Sequence, residues 1–127
     1  MRTLIAILTA LMLFATTPVV ADDFADAWKA YLADDHQEYF RLTKRMAEQG
    51  DFGSQFVVGA LYFGGQGVPQ DYLLAYAWVS IAAAQGRADG KKAKAIIAKR
   101  MTPTHIAEAQ KLSLELWEKY VVPFQKE

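Results

Sequence analysis

Ala47-Glu48-Gln49-Gly50 returns 36 residues later as Ala83-Ala84-Gln85-Gly86. A fixed period of about twenty to fifty residues marks supersecondary units that cannot bury a core alone and must stack on a neighbour. Between the two copies runs Val58-Gly59-Ala60-Leu61-Tyr62-Phe63-Gly64-Gly65-Gln66-Gly67-Val68-Pro69-Gln70-Asp71, an apolar stretch, a glycine-rich break and a fresh start. The recurrence constrains architecture first. It reaches function indirectly, because a repeat scaffold presents a surface rather than a reaction centre.

No proline lies between Pro18 and Pro69, and no segment shows the strict alternation of a half-buried strand, so the chain reads as all-α, a short solenoid of paired helices. Six helices are expected, over 22–33, 36–49, 51–63, 71–85, 89–100 and 103–120. The first places Phe24, Ala27, Trp28 and Tyr31 on one stripe, and the second aligns Tyr39, Leu42 and Met46 before Gly50 stops it. The third is apolar on more than one side, which fits a helix sandwiched between neighbours. Gly59 lies in its middle, where glycine costs about 0.5–1 kcal/mol relative to alanine, so a closely approaching helix is expected there. Gly64 to Gln70 form a turn in which Val68 tucks inward and Asp71 caps the fourth helix. The fifth helix buries Ala93, Ile96 and Ile97. Thr102-Pro103 is a helix-start pair for the sixth, with Ile106, Ala109, Leu112, Leu116 and Tyr120 inward and a loose tail from Phe124. Residues 87–122 thus read as a capping hairpin, and Trp28, Trp78 and Trp117 read as core.

The start of the chain has a different character. Met1-Arg2, an apolar run over 3–14 and Val19-Val20-Ala21 compose a signal peptide over 1–21, cleaved before Asp22. Its apolar run falls short of the ~20 residues that span a bilayer. The expected address is the periplasm or the medium, with no membrane insertion after cleavage. Residues 22–127 make one domain, and with no cysteine in the chain the hydrophobic core alone must hold it. Cleavage removes Arg2 and no acid, taking 14 Lys and Arg to 13 against 14 Asp and Glu. That balance lacks the basic footprint of nucleic-acid binding. The charges are polarised all the same. Residues 22–38 hold six acids against Lys29, and residues 87–100 hold six bases against Asp89, an arrangement able to steer a partner or bring two copies end to end.

Catalytic and cofactor chemistry has little to stand on. His36 and His105 are the two histidines, far apart in sequence and both expected at solvent-facing helix starts, so no metal site is expected. Ser54, Ser80 and Ser113 lie in no Gly-x-Ser-x-Gly, and none is followed three positions on by lysine. Gly64-Gly65-Gln66-Gly67 lacks the Lys-Ser/Thr of a phosphate loop. Asp22-Asp23 and Asp34-Asp35 are sequence neighbours, which do not face each other on a helix. No enzyme and no cofactor are expected.

Gln55-x-x-Val58-Gly59-x-x-Tyr62-x-x-Gly65-x-Gly67-Val68-x-x-Asp71-x-x-x-Ala75-x-x-Trp78-x-x-x-Ala82-Ala83-x-x-Gly86 resembles a Sel-1-like repeat, a relative of the tetratricopeptide repeat with a glycine-bearing turn. Val58 where leucine is usual and Gly53 where alanine is common are its departures. The resemblance covers one complete repeat, about 51–86, and the second helix of a preceding one. It implies an α-α superhelix and a non-catalytic protein-interaction module of the cell envelope, whose partner is a protein or peptide. Self-assembly into a homo-oligomer is the structural alternative. Some secreted relatives are linked to β-lactam binding or hydrolysis, but they lean on a cysteine-rich framework that is absent here. By the same resemblance the first helices of each pair line a concave groove, making Gln55, Val58 and Tyr62 candidate groove contacts; packing of these three against helices two and five is the competing reading.

Overall fold

The computed structural model describes residues 19–125, with side chains from residue 22. Most of the expected signal peptide therefore lies outside the described residues. Six α-helices follow in order: α1 Val19–Leu32, α2 His36–Glu48, α3 Phe52–Gly64, α4 Tyr72–Ala84, α5 Gly90–Ala98 and α6 Pro103–Tyr120, then a 3-10 turn over Val122–Phe124. No strand occurs among the described residues.

Four of these starts are capped by the residue type that suits the job. Asp35, Asp51 and Asp71 accept from the backbone N–H groups of Glu38, Ser54 and Leu74, and Thr102 accepts from that of His105. Each such cap contributes about 1 kcal/mol. The long turn closes on itself, with the Asp71 N–H donating to the Tyr62 carbonyl and Gln70 Nε2 donating to the Phe63 carbonyl at 2.8 Å.

α4 is the centre of the molecule. Ala75, Ala77, Trp78, Val79, Ile81 and Ala82 are all buried, and α4 packs most extensively on α3, then on α6, then on α5. Small residues set the spacing. A Cβ on Gly59 would stand 2.5 Å from Val79 Cγ2 and 3.0 Å from the Ala75 carbonyl, so the mid-helix glycine is where α3 and α4 come closest. Trp78 stacks on Tyr120 of α6 at 5.6 Å, and Phe40 meets Tyr62 edge-on at 5.2 Å, the offset and T-shaped geometries that aromatic pairs favour.

Several expectations are corrected. Trp28 is 60% exposed and Phe24 and Tyr31 are likewise outside, because α1 packs principally on α2 and no helix among the described residues covers its other side. Asp23, Ala27 and Ala30 form the face that turns inward instead. Trp78 is in the core, whereas Trp117 is half-buried. Ile96 is 54% exposed, since the register of α5 turns Ile97 onto the core in its place. α5 and α6 do not pair as a hairpin. Each packs on α4, joined by the short Lys99–Thr102 link. The tail is not loose up to residue 124: Val121 is buried and the Phe124 ring lies over Gly50, where a Cβ would meet its Cγ at 2.6 Å.

Candidate partner-binding cleft

Because α1 packs principally on α2, a cleft of about 440 Å³ opens between α1 and α3 with α2 as its floor. Phe24, Ala27 and Trp28 come from α1, Tyr39, Thr43 and Met46 from α2, and Ser54 and Val57 from α3; Asp51 and Arg87 stand at the edge.

The wall is held by local physics. Ala27 and Ala30 let α1 approach α2 closely, and the largely buried Asp23 pairs with Arg45 Nε at 3.2 Å. A buried carboxylate beside a guanidinium fixes the crossing of the two helices. Along the wall, Trp28 stacks on Tyr31 at 5.7 Å, and Tyr31 tilts against Tyr39 of α2 at 5.4 Å. The rings thereby form a continuous ladder from one helix to the next.

Charge is mostly consumed at the edges. Asp51 accepts from Ser54 N–H at 2.8 Å and from Ser54 Oγ at 2.6 Å. Arg87 lies over the Phe56 ring at 4.5 Å and donates to Asp89 at 2.8 Å. Asp89 is held below the usual carboxylate range chiefly by that hydrogen bond. On the floor, Thr43 Oγ1 is buried and makes no hydrogen bond within the protein. The cleft therefore offers an apolar slot between aromatic walls, which suits a side chain from a partner segment better than a reacting group.

Gln55, Val58 and Tyr62 are elsewhere. All three are buried, Gln55 and Val58 completely, and none lines the cleft. Gln55 is a junction: Nε2 donates to the Ala47 carbonyl at 3.0 Å and the Tyr120 carbonyl at 3.1 Å, while Oε1 accepts from Gln85 Nε2 at 2.7 Å. One amide from α3 thus ties together the C-terminal ends of α2, α4 and α6.

Tyr62 carries a pH consequence. Burial pushes its hydroxyl above the ordinary value of 10.0, with Asp71 and Glu48 adding to the effect. The folded state holds the phenol proton more tightly than the unfolded chain, so this contribution is complete below pH 10 and is lost as pH rises through the folded value. Tyr62→Phe is expected to leave the urea midpoint at pH 7 nearly unchanged and to flatten its decline above pH 10, as equilibrium unfolding at both pH values would show.

The cleft residues that sequence reasoning passed over are Phe24, Trp28 and Tyr39 as surface groups. The available signal was the spacing Asp23, Ala27, Ala30, which marks a second, narrower face on α1 with small residues suited to close packing. Among the motif positions, Gly59 and Ala75 build the α3–α4 contact, Trp78 packs on Tyr120 of α6, Ala82 is buried in the core, and Gly65, Gly67, Asp71, Ala83 and Gly86 shape the turns and ends. His36 and His105 are both exposed, and no group of three or more His, Asp or Glu side chains converges among the described residues.

No family model matches the sequence, and no curated protein matches it. A solved structure does, with a TM-score of 0.66, 27% identity and coverage of 72% of this chain: a protective antigen, c5321, present in uropathogenic Escherichia coli strains and displaying an SLR fold. The chain corresponds to 21% of the length of that protein. With its one glycine-bearing turn between paired helices and this likeness to a solved SLR structure, the chain has the Sel-1-like repeat fold.

Proposed function

We propose that this protein is a non-catalytic interaction module of the cell envelope that seats a segment of a protein partner in the cleft between α1 and α3. The observation that carries the reading is the aromatic wall itself: Phe24 and Trp28 are 48% and 60% exposed beside a mainly apolar slot. Large apolar rings held in the open at a concavity are a recurrent mark of a recognition surface.

Two further observations support it. Each serine hydroxyl donates to a local acceptor: Ser80 and Ser113 to the Tyr76 and Gln110 carbonyls, and Ser54 to Asp51, whose carboxylate is also the helix cap that accepts from the Ser54 N–H. No helix of the described residues is long and apolar enough to cross a membrane. Export rests on the N-terminal pattern of residues 1–21, and an intact mass beginning at Asp22 would establish it.

A photo-crosslinking residue at Val57 is expected to capture a partner in cells, whereas the same residue at the exposed Gln110 is not. Trp28→Ser in the Val57-labelled protein should reduce capture at least about tenfold, the loss of about 1.4 kcal/mol or more of contact. Equal capture with and without Trp28 would end the cleft reading.

A further inference from the structure

Two surfaces of the molecule are complementary. On the first, α1 is an edge helix among the described residues, and its outer surface is not the polar face that a terminal repeat needs: Tyr31 and Leu32 are 56% and 64% exposed. Beside them in the chain Asp34 and Asp35 are exposed and in no ion pair among the described residues, whereas Asp23 and Glu38 of the same acidic segment are engaged by Arg45 and Arg41.

The second surface, between α3 and α5, carries the matching features. A wholly apolar groove of about 150 Å³ lies between α3 and α5, where Phe56, Phe63, Ala93 and the exposed Ile96 meet. Lys92, Lys99 and Arg100 fall on the same side of α5 as Ile96 at helical spacing, and none is in an ion pair among the described residues. An apolar ridge with an acidic border thus has its counterpart in an apolar groove with a basic border.

We propose that a second copy of this chain occupies that groove, with α1 of one molecule seated along α3 and α5 of the next. The contact lays α1 of one molecule over the gap between α3 and α5 of the other, where Val79 of α4 also lines the groove. It is heterologous, joining different surfaces on the two copies, and generates a ring or an open chain. Lys92 and Ile96 neither line the α1–α3 cleft nor belong to its aromatic ladder, so the groove variant tests the contact apart from the cleft reading.

The protein is produced from its full-length reading frame, purified as the cell leaves it and weighed by light scattering from about 1 to about 200 µM in ~50 mM and ~500 mM salt. The expected result is a mass that rises with concentration and falls back at high salt. Y31S/L32S disables the ridge and K92E/I96S the groove. Each alone should remain monomeric with wild-type helicity, and an equimolar mixture should form a 1:1 complex because one intact surface remains on each. A wild-type monomer throughout the range, association that survives both double variants, or a mixture that stays monomeric overturns the proposal.

Discussion

Gln55→Leu is expected to be among the most damaging single substitutions in this domain, lowering stability by about 3 kcal/mol. Leucine nearly preserves the volume, so the loss reports hydrogen bonding rather than a cavity. The Ala47 carbonyl keeps a partner in the Gly50 N–H, and Gln85 Nε2 keeps the Ile81 carbonyl at 2.9 Å. The Tyr120 carbonyl loses its side-chain donor. An unsatisfied buried polar group costs about 1–3 kcal/mol, and the weakened bonds at Ala47 and Gln85 add to it. For a domain of this size each 1 kcal/mol moves the melting temperature by roughly 4–8 °C, so a fall of about 12–24 °C is expected in a calorimetric scan. A change under a few degrees would show that the junction contributes little.

Gly67→Ala should rival it. Gly67 has φ +74, in the left-handed region, where an L side chain costs about 1–2 kcal/mol. A Cβ there would also fall on the His36 carbonyl at the start of α2, which is backbone and has little freedom to yield. Strain and collision together are expected to cost about 2–4 kcal/mol. Gly65→Ala is the control. Its φ is +64 with a C-cap geometry, and the nearest atom to its Cβ is Gln70 Cβ at 3.2 Å, so it should show the conformational cost of about 1–2 kcal/mol alone. Urea midpoints of the two variants separate the effects, and equal losses would remove the role assigned to the turn's seat against α2.

The repeat between residues 51 and 86 was legible for a physical reason: its spacing is dictated by contacts within itself. Gly59 meets Val79, Asp71 caps α4 and the glycine turn closes on Tyr62, all inside a window of about forty residues. What escaped depends on neighbours that a local pattern does not name. The wide apolar stripe of α1 looked like a core face because periodicity reports where apolar residues lie, not whether another helix is there to cover them. Ile96 and Ile97 are both expected inward for the same reason, yet only Ile97 is turned onto the core while Ile96 is left 54% exposed. Gln55 matches the repeat motif, which leaves groove contact and helix packing both open. Its true partners lie as far as 65 residues away, at a separation no local pattern reaches.

That separation also sets an order of events. The last ligand of the Gln55 amide is the carbonyl of Tyr120, and the Phe124 ring settles on Gly50 just beyond it. A chain made from its N-terminus can form the α3–α4 pair early, but its central junction has no closing piece until the final helix has been synthesised. Such a polypeptide stays short of full closure until its end is made. Deleting residues 103–127, which removes the final helix together with Tyr120, would leave that junction open for good.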